Sequence, residues 1–211
     1  MKLNRNKSIL TLLLLLNYFL LSAQNDSIIR YGNFFEFKIP AKYELRTNDY
    51  YNVIRDKVLI NLNFEASKVN YVLQPKGMDD MKNKISTYSR ILIDVEYGDF
   101  DSNIEVGKYS KLKLQSLDKV IEDYLEFLPT KIPDLTVLDR TPIKIEKKNN
   151  KNFLIYTYTR KLENNPNVKV IVYTCFNKSY LIRITISYRI NEYEYWQDSI
   201  QYFLDNNNLT G

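Results

Sequence analysis

The sequence predicts an α+β domain, an antiparallel β-sheet flanked by helices in an α/β/α sandwich. Three observations carry this expectation. Short period-two segments open the chain, Ser116 to Leu128 switches to helical spacing, and four more period-two segments between Thr141 and Tyr188 run into an aromatic C-terminal helix. With 211 residues, 45% hydrophobic and 26% charged, the composition is that of a globular protein long enough for one domain core.

The first 23 residues read as a signal peptide. Lys2, Arg5 and Lys7 form a basic start, and Ile9 to Leu21 is an apolar run broken only by Thr11, Asn17 and Tyr18, too short for a bilayer span. Small Ala23 places the cut between Ala23 and Gln24, so the protein is expected to be exported and soluble in the periplasm or outside the cell, without stable membrane insertion. Residues 24–32 are then a flexible lead-in, 33–205 one domain and 206–211 a tail, since no linker, repeat or charge block divides the chain.

Within the domain, Asn33 to Ile39 places Phe35, Phe37 and Ile39 on one side and Phe34, Glu36 and Lys38 on the other, with Pro40 ending the strand. Val58 to Phe64, Asn70 to Gln74 and Arg90 to Glu96 are further strands, with Pro75-Lys76-Gly77 closing the one that begins at Asn70. In the central helix Leu117, Val120, Ile121, Tyr124, Leu125 and Leu128 form the apolar stripe. Ser116 is its expected N-cap, Asp118 lies in its first turn, and Pro129 should stop it. Thr141 to Glu146, Asn152 to Arg160, Val168 to Phe176 and Tyr180 to Tyr188 read as an antiparallel meander, with turns at Asn164-Asn165-Pro166 and at Phe176 to Ser179. Asn191 with Glu194 suggests a capping box ahead of a helix carrying Tyr193, Trp196, Ile200, Phe203 and Leu204 on its sheet-facing side.

The order of these elements, with FFEFKIP at its start, SLDKVIEDYLEFL at its centre and YLIRITISYR before EYEYWQDSIQYFL at its end, resembles the PsbP-like fold. The likeness spans roughly residues 33–205 and rests on order and pattern, so it transfers no functional residue. It implies a scaffold for protein association rather than an active site.

Composition excludes several chemistries. Histidine is absent, cysteine occurs once and glycine five times, so Ser-His-Asp triads, Cys-His pairs, His-ligated metals and glycine-rich phosphate loops lack their parts, and no cofactor is expected. Loss of Lys2, Arg5 and Lys7 with the signal lowers the formal charge from +5 to +2, which argues against nucleic acid as a partner. Cys175 has no disulfide partner and, within VIVYTCF, is expected to pack as a small hydrophobe. The surplus of tyrosine, asparagine, lysine and isoleucine over alanine is the bias of a low-GC bacterial genome.

Three constellations remain. Asp99, Asp101, Asn103 and Glu105 alternate like the start of a calcium loop, but Ile104 stands where glycine is needed and Ser110 where a bidentate carboxylate is needed, so a solvated acidic loop is expected. Tyr88 with Arg90, and Tyr158 with Arg160, are each two apart and share a strand face, a candidate binding surface of aromatic platforms and cations, weighed against plain cross-strand packing. Tyr188 beside Arg189 repeats the theme. Asp94, Glu96, Asp99, Glu122, Asp123 and Glu126 could in principle pair for glycoside chemistry, though Glu122 and Glu126 read as a solvated helix face. The expectation is a non-enzymatic exported binding or accessory protein of the bacterial envelope, whose partner is another envelope protein. The alternatives are a small hydrolase or lyase using carboxylate, tyrosine or lysine groups, and a carrier of an apolar ligand.

Overall fold

The structure is a computed structural model that describes residues 27–46, 70–78, 80, 86–98, 109–176 and 179–209. The expected signal segment with Ala23 and Gln24, the strand at 58–64, the loop carrying Asp99, Asp101, Asn103 and Glu105, and the turn residues Asn177 and Lys178 lie outside the described residues.

A seven-stranded antiparallel sheet forms the centre. Its strands are β3 (Tyr43–Leu45), β4 (Tyr71–Pro75), β5 (Ser89–Tyr97), β6 (Leu135–Lys148), β7 (Lys151–Leu162), β8 (Val168–Phe176) and β9 (Tyr180–Arg189), in the spatial order β3-β4-β5-β9-β8-β7-β6. After β5 the helix α1 (Lys111–Lys131) precedes β6 at the far edge, and the meander from β6 to β9 then returns strand by strand to β5. A smaller sheet, β1 (Ile28–Tyr31), β2 (Phe35–Lys38) and β10 (Asn208–Leu209), pairs antiparallel with β2 in the middle.

Strand alternation divides the large sheet into two dressed faces. On one, Ile91, Ile93, Val95, Ile182, Ile184 and Ile186 meet Phe35 and Phe37 of the small sheet and Trp196, Ile200, Phe203 and Leu204 of the C-terminal helix α2 (Tyr193–Asp205). On the other, Leu125 and Leu128 of α1 cover Leu135, Tyr158, Val170 and Val172. The sandwich is therefore α+β as its sequence pattern indicates. Several of the tyrosines are structural: Tyr31, Phe34, Tyr71, Tyr97 and Tyr180 form a continuous ring cluster between the two sheets, with Phe34 stacked on Tyr180 at 4.3 Å.

Five local expectations are corrected. Residues 24–32 are not simply a flexible lead-in, because Ile28–Tyr31 pairs with β2, and the 206–211 tail contains β10, whose Leu209 is buried in the core. Both are short strands that acquire their hydrogen bonds only from β2, so their own periodicity is too brief to announce them. Helix α1 begins at Lys111, five residues early, with Ser110 accepting a hydrogen bond from the Lys113 amide at 3.2 Å as its N-cap in place of Ser116. It also runs through Pro129 to Lys131, since proline's φ is helical and its missing N–H costs one ladder bond near the end of the helix. At the start of α2 the expected Asn191 cap is absent: a 3-10 turn, Ile190–Glu192, leads in and no side chain caps the helix.

Edge strand β6 explains how α1 is held. Its register shifts twice, between Val137 and Asp139 and between Thr141 and Lys144, around Pro142, which has no ladder donor to offer. Within that irregularity Arg140 reaches Asp118 of α1 through two bonds of 2.8 and 3.1 Å and Glu122 at 3.2 Å, while the Ile143 amide donates to Asp118 at 2.8 Å. Asp118 is thus an anchor between helix and sheet, not a first-turn dipole residue. Asn149 and Asn150, with φ of 47° and 62°, close the β6-β7 hairpin in the left-handed region that asparagine tolerates. The Asn149 side chain also donates to the carbonyls of Leu204 and Asn207, tying the hairpin to the end of α2.

Candidate functional site

At one end of the large sheet the C-terminus of α1, the starts of β5, β6 and β8 and the ends of β7 and β9 surround a cleft of about 240 Å³. Its walls are Ile132, Leu135, Leu162, Pro166 and Val168, and its polar groups are Tyr88, Arg160, Arg189 and Asn165. The rim is built from closed turns: Glu163, at φ 48°, donates its amide to Asp134, Asn165 donates to Leu162, and Ile190 donates to Asn167. Local sequence dictates this shape, because Pro133-Asp134 turns α1 into β6 and Asn164-Asn165-Pro166 turns β7 into β8.

One sequence-identified aromatic–cation pair, Tyr88 with Arg90, meets the arginine of a second, Arg160, here. Arg160 in β7 extends its Nη2 to within 3.5 Å of the Tyr88 hydroxyl, 72 residues away and three strand intervals across the sheet. In the register across the sheet Val168 and Arg189 lie between them, and the Tyr88 hydroxyl lies 3.2 Å from Ser187 Oγ. Arg90 stacks its guanidinium over the Tyr88 ring at 5.6 Å, and its buried Nε has no hydrogen-bond partner. Tyr158 does not join them. It is buried under α1 beside Tyr156, and burial raises its phenol to about 12, so it belongs to the core rather than to a binding surface.

Sequence reasoning did not single out Arg189 as a site residue, and it missed Glu192. Tyr188 and Arg189 are adjacent and therefore face opposite ways: Tyr188 enters the core and Arg189 enters the cleft. Arg189 is paired, with Glu192 at 3.0 Å and with the Ser86 carbonyl. Glu192 also accepts from the Tyr88 amide at 2.8 Å and the Trp196 indole at 3.4 Å, joining the cleft to the start of α2. Deeper on the same sheet face Arg183 pairs with Asp94 at 3.3 Å and Glu96 at 3.8 Å. Arg160 and Arg90 have no carboxylate partner among the described residues. Among the described residues, the lining of the cleft therefore carries one cation without a carboxylate partner, Arg160, with Arg90 outside that lining over the Tyr88 ring.

The remaining candidate groups are ion-paired or buried. Glu122 is engaged by Lys119 at 3.0 Å and by Arg140, which lower its pKa, the opposite of what a general acid requires. A second, open groove of about 340 Å³ between α1 and β6 is lined by this same ion-paired group together with Leu125, Pro129 and Val137. The Cys175 thiol is buried on the α2 side, and desolvation pushes it up to about 11, so it is protonated at neutral pH.

The arrangement defines a class: an antiparallel sheet clasped between a long helix on one face and a helix plus a small sheet on the other, with a cation-bearing cleft at one end. Among solved structures the chain is similar to cyanobacterial PsbP from Synechocystis, at 10% identity and TM-score 0.47 over 89% of this chain and 95% of that one. It is also similar to LpqN of Mycobacterium tuberculosis, described as involved in cell envelope biogenesis, at 10% identity and TM-score 0.45 over 88% and 91%. A third is the Ran-binding protein Mog1p of Saccharomyces cerevisiae, at 13% identity and TM-score 0.41 over 88% and 95%. The neighbours thus include the PsbP-like proteins that the sequence pattern resembles, and at this distance the likeness is one of architecture alone. No family model and no curated protein matches the chain.

Proposed function

We propose that the chain is an exported binding or accessory protein of the bacterial cell envelope that acts by association and not by catalysing a reaction. The observation that carries this reading is the cleft, in which Arg160 stands without a carboxylate partner among the described residues, against apolar walls on a rim of closed turns. That is recognition chemistry, a charge and a shape held ready for a complementary group. Export is supported by the basic and apolar N-terminal segment ending at Ala23, and among the described residues no helix is long and apolar enough to cross a membrane.

The partner on this reading is another envelope protein. A small apolar or amphiphilic ligand is the second reading, and the apolar lining of the cleft favours it. The test is mild crosslinking in native envelopes, followed by capture of the tagged protein and of its Arg160→Gln variant. A stoichiometric partner that survives moderate salt with the wild type and is lost with the variant is the expected result. A wild-type monomer with nothing bound overturns the protein-partner reading, and an N-terminus other than Gln24 on the captured protein overturns the expected export processing.

A further inference from the structure

We infer that the cleft binds a small amphiphilic carboxylate, its head held by Arg160 and Tyr88 and its acyl tail laid along Ile132, Leu135, Leu162 and Val168. The inference rests on the cleft being the binding site and adds the chemical class of what enters it.

Charge selects the head. Of the two arginines that line the cleft, Arg189 is matched by Glu192 at 3.0 Å and Arg160 has no carboxylate partner among the described residues, so the lining calls for one negative charge. A guanidinium offers parallel N–H donors that suit a carboxylate bidentately, and the contact from Arg160 Nη2 to Tyr88 at 3.5 Å is too long to satisfy them. The Tyr88 hydroxyl adds a donor beside them. A dianionic phosphate would bring a second charge that the cleft lining does not meet, since Arg90 lies over the Tyr88 ring outside that lining and Arg189 is held by Glu192. An uncharged apolar molecule would leave Arg160 facing hydrocarbon with no counter-ion.

Volume and lining select the tail. At about 30 Å³ for each water-sized group, the 240 Å³ of the cleft accommodates about eight such groups, a chain near the length of octanoate. Rim backbone groups are already used, with the amides of Glu163, Asn165 and Ile190 bonded within the rim. A peptide, which needs main-chain partners, is therefore less well served here than an acyl chain, which needs none.

The experiment is isothermal titration calorimetry of the protein purified from the envelope with butanoate, hexanoate, octanoate, octanol, octylamine and octyl phosphate. The expected result is saturable one-to-one octanoate binding that tightens about fourfold per methylene along the carboxylate series, from the transfer free energy of a CH₂ group. Octanol is expected to bind at least tenfold more weakly and octylamine not at all. Arg160→Gln should weaken octanoate at least tenfold, with Arg160→Lys retaining part of the affinity. If Arg160→Gln does not fold, Leu162→Ser at a half-exposed wall position reads the same site by flattening the chain-length dependence. Octanol equal to octanoate, octyl phosphate tighter than octanoate, or an Arg160→Gln variant with wild-type affinity overturns the assignment. Tighter binding of N-acetyl-leucyl-leucine with a free carboxylate would replace the acyl chain by a peptide terminus and overturn it too. Failure to bind octanoate while a protein partner is still captured through Arg160 refutes only the ligand class; loss of both refutes the cleft itself.

Discussion

Glu192 is the residue whose removal tests how the cleft and the C-terminal helix are joined. Its carboxylate accepts from the Tyr88 amide at 2.8 Å, Arg189 at 3.0 Å and Trp196 at 3.4 Å, and its side chain is 17% exposed against 27% for Arg189. The Tyr88 bond is a short, charge-assisted contact worth about 1.5–3 kcal/mol, the half-screened Arg189 pair adds up to about 1 kcal/mol, and the long indole contact contributes little. Glu192→Ala should therefore cost about 3 kcal/mol and lower Tm by about 6–12 °C for a chain of this size. Glu192→Gln keeps an acceptor for Tyr88 and should cost about 1 kcal/mol, and a double-mutant cycle with Arg189→Gln should return a coupling of at least about 0.5 kcal/mol. Urea and thermal melts followed by far-UV circular dichroism measure all three. Loss of the charge has a second consequence, because it leaves Arg189 uncompensated and should move preference in the cleft from octanoate toward octyl phosphate. A Glu192→Ala protein that melts within about 2 °C of wild type would refute the claim that this carboxylate fastens α2 to the mouth of the cleft.

Three further outcomes follow from the same contacts. The Arg140 hydrogen bonds to Asp118, aided by the Ile143 amide, hold this carboxyl below the ordinary value, so its stabilisation is present above about pH 4 and is lost as pH falls through its folded pKa. Asp118→Asn should destabilise by about 1–2 kcal/mol at pH 7, and the difference from wild type should shrink in melts at pH 3. Cys175, raised to about 11 by burial, should react with a thiol reagent at pH 8 only as fast as the protein opens, and Cys175→Ser should leave ligand or partner binding intact. Leu209→Ala should cost about 2–3 kcal/mol in urea melts, because Leu209 is only 7% exposed within the main core.

Much of the fold was legible in the chain. Phe35 and Phe37 alternate into the core as their period requires, the four-strand meander appears in its expected order, and Trp196, Ile200, Phe203 and Leu204 face the sheet. The misreadings lie where a neighbour decides. Val120 and Tyr124 belong to the apolar stripe by spacing yet are 65% and 42% exposed, because α1 turns Leu125 and Leu128 most fully onto the sheet. β1 and β10 exist as strands because β2 offers them partners.

The candidate site divides in the same way. Sequence alone determined the face-sharing of Tyr88 with Arg90 and of Tyr158 with Arg160, the missing catalytic inventory, the inert setting of Cys175 and the turn at Asn164-Asn165-Pro166. These follow from side-chain chemistry and from the local period of the backbone, which each segment carries within itself. Only the tertiary structure decided that Tyr88 and Arg160 meet, that Tyr158 is covered by α1, and that Glu192 neutralises Arg189 but leaves Arg160 alone. Those outcomes depend on the strand order β5-β9-β8-β7, and that order is chosen by the burial of whole sheet faces against α1, α2 and the small sheet. No local stretch of sequence contains that comparison.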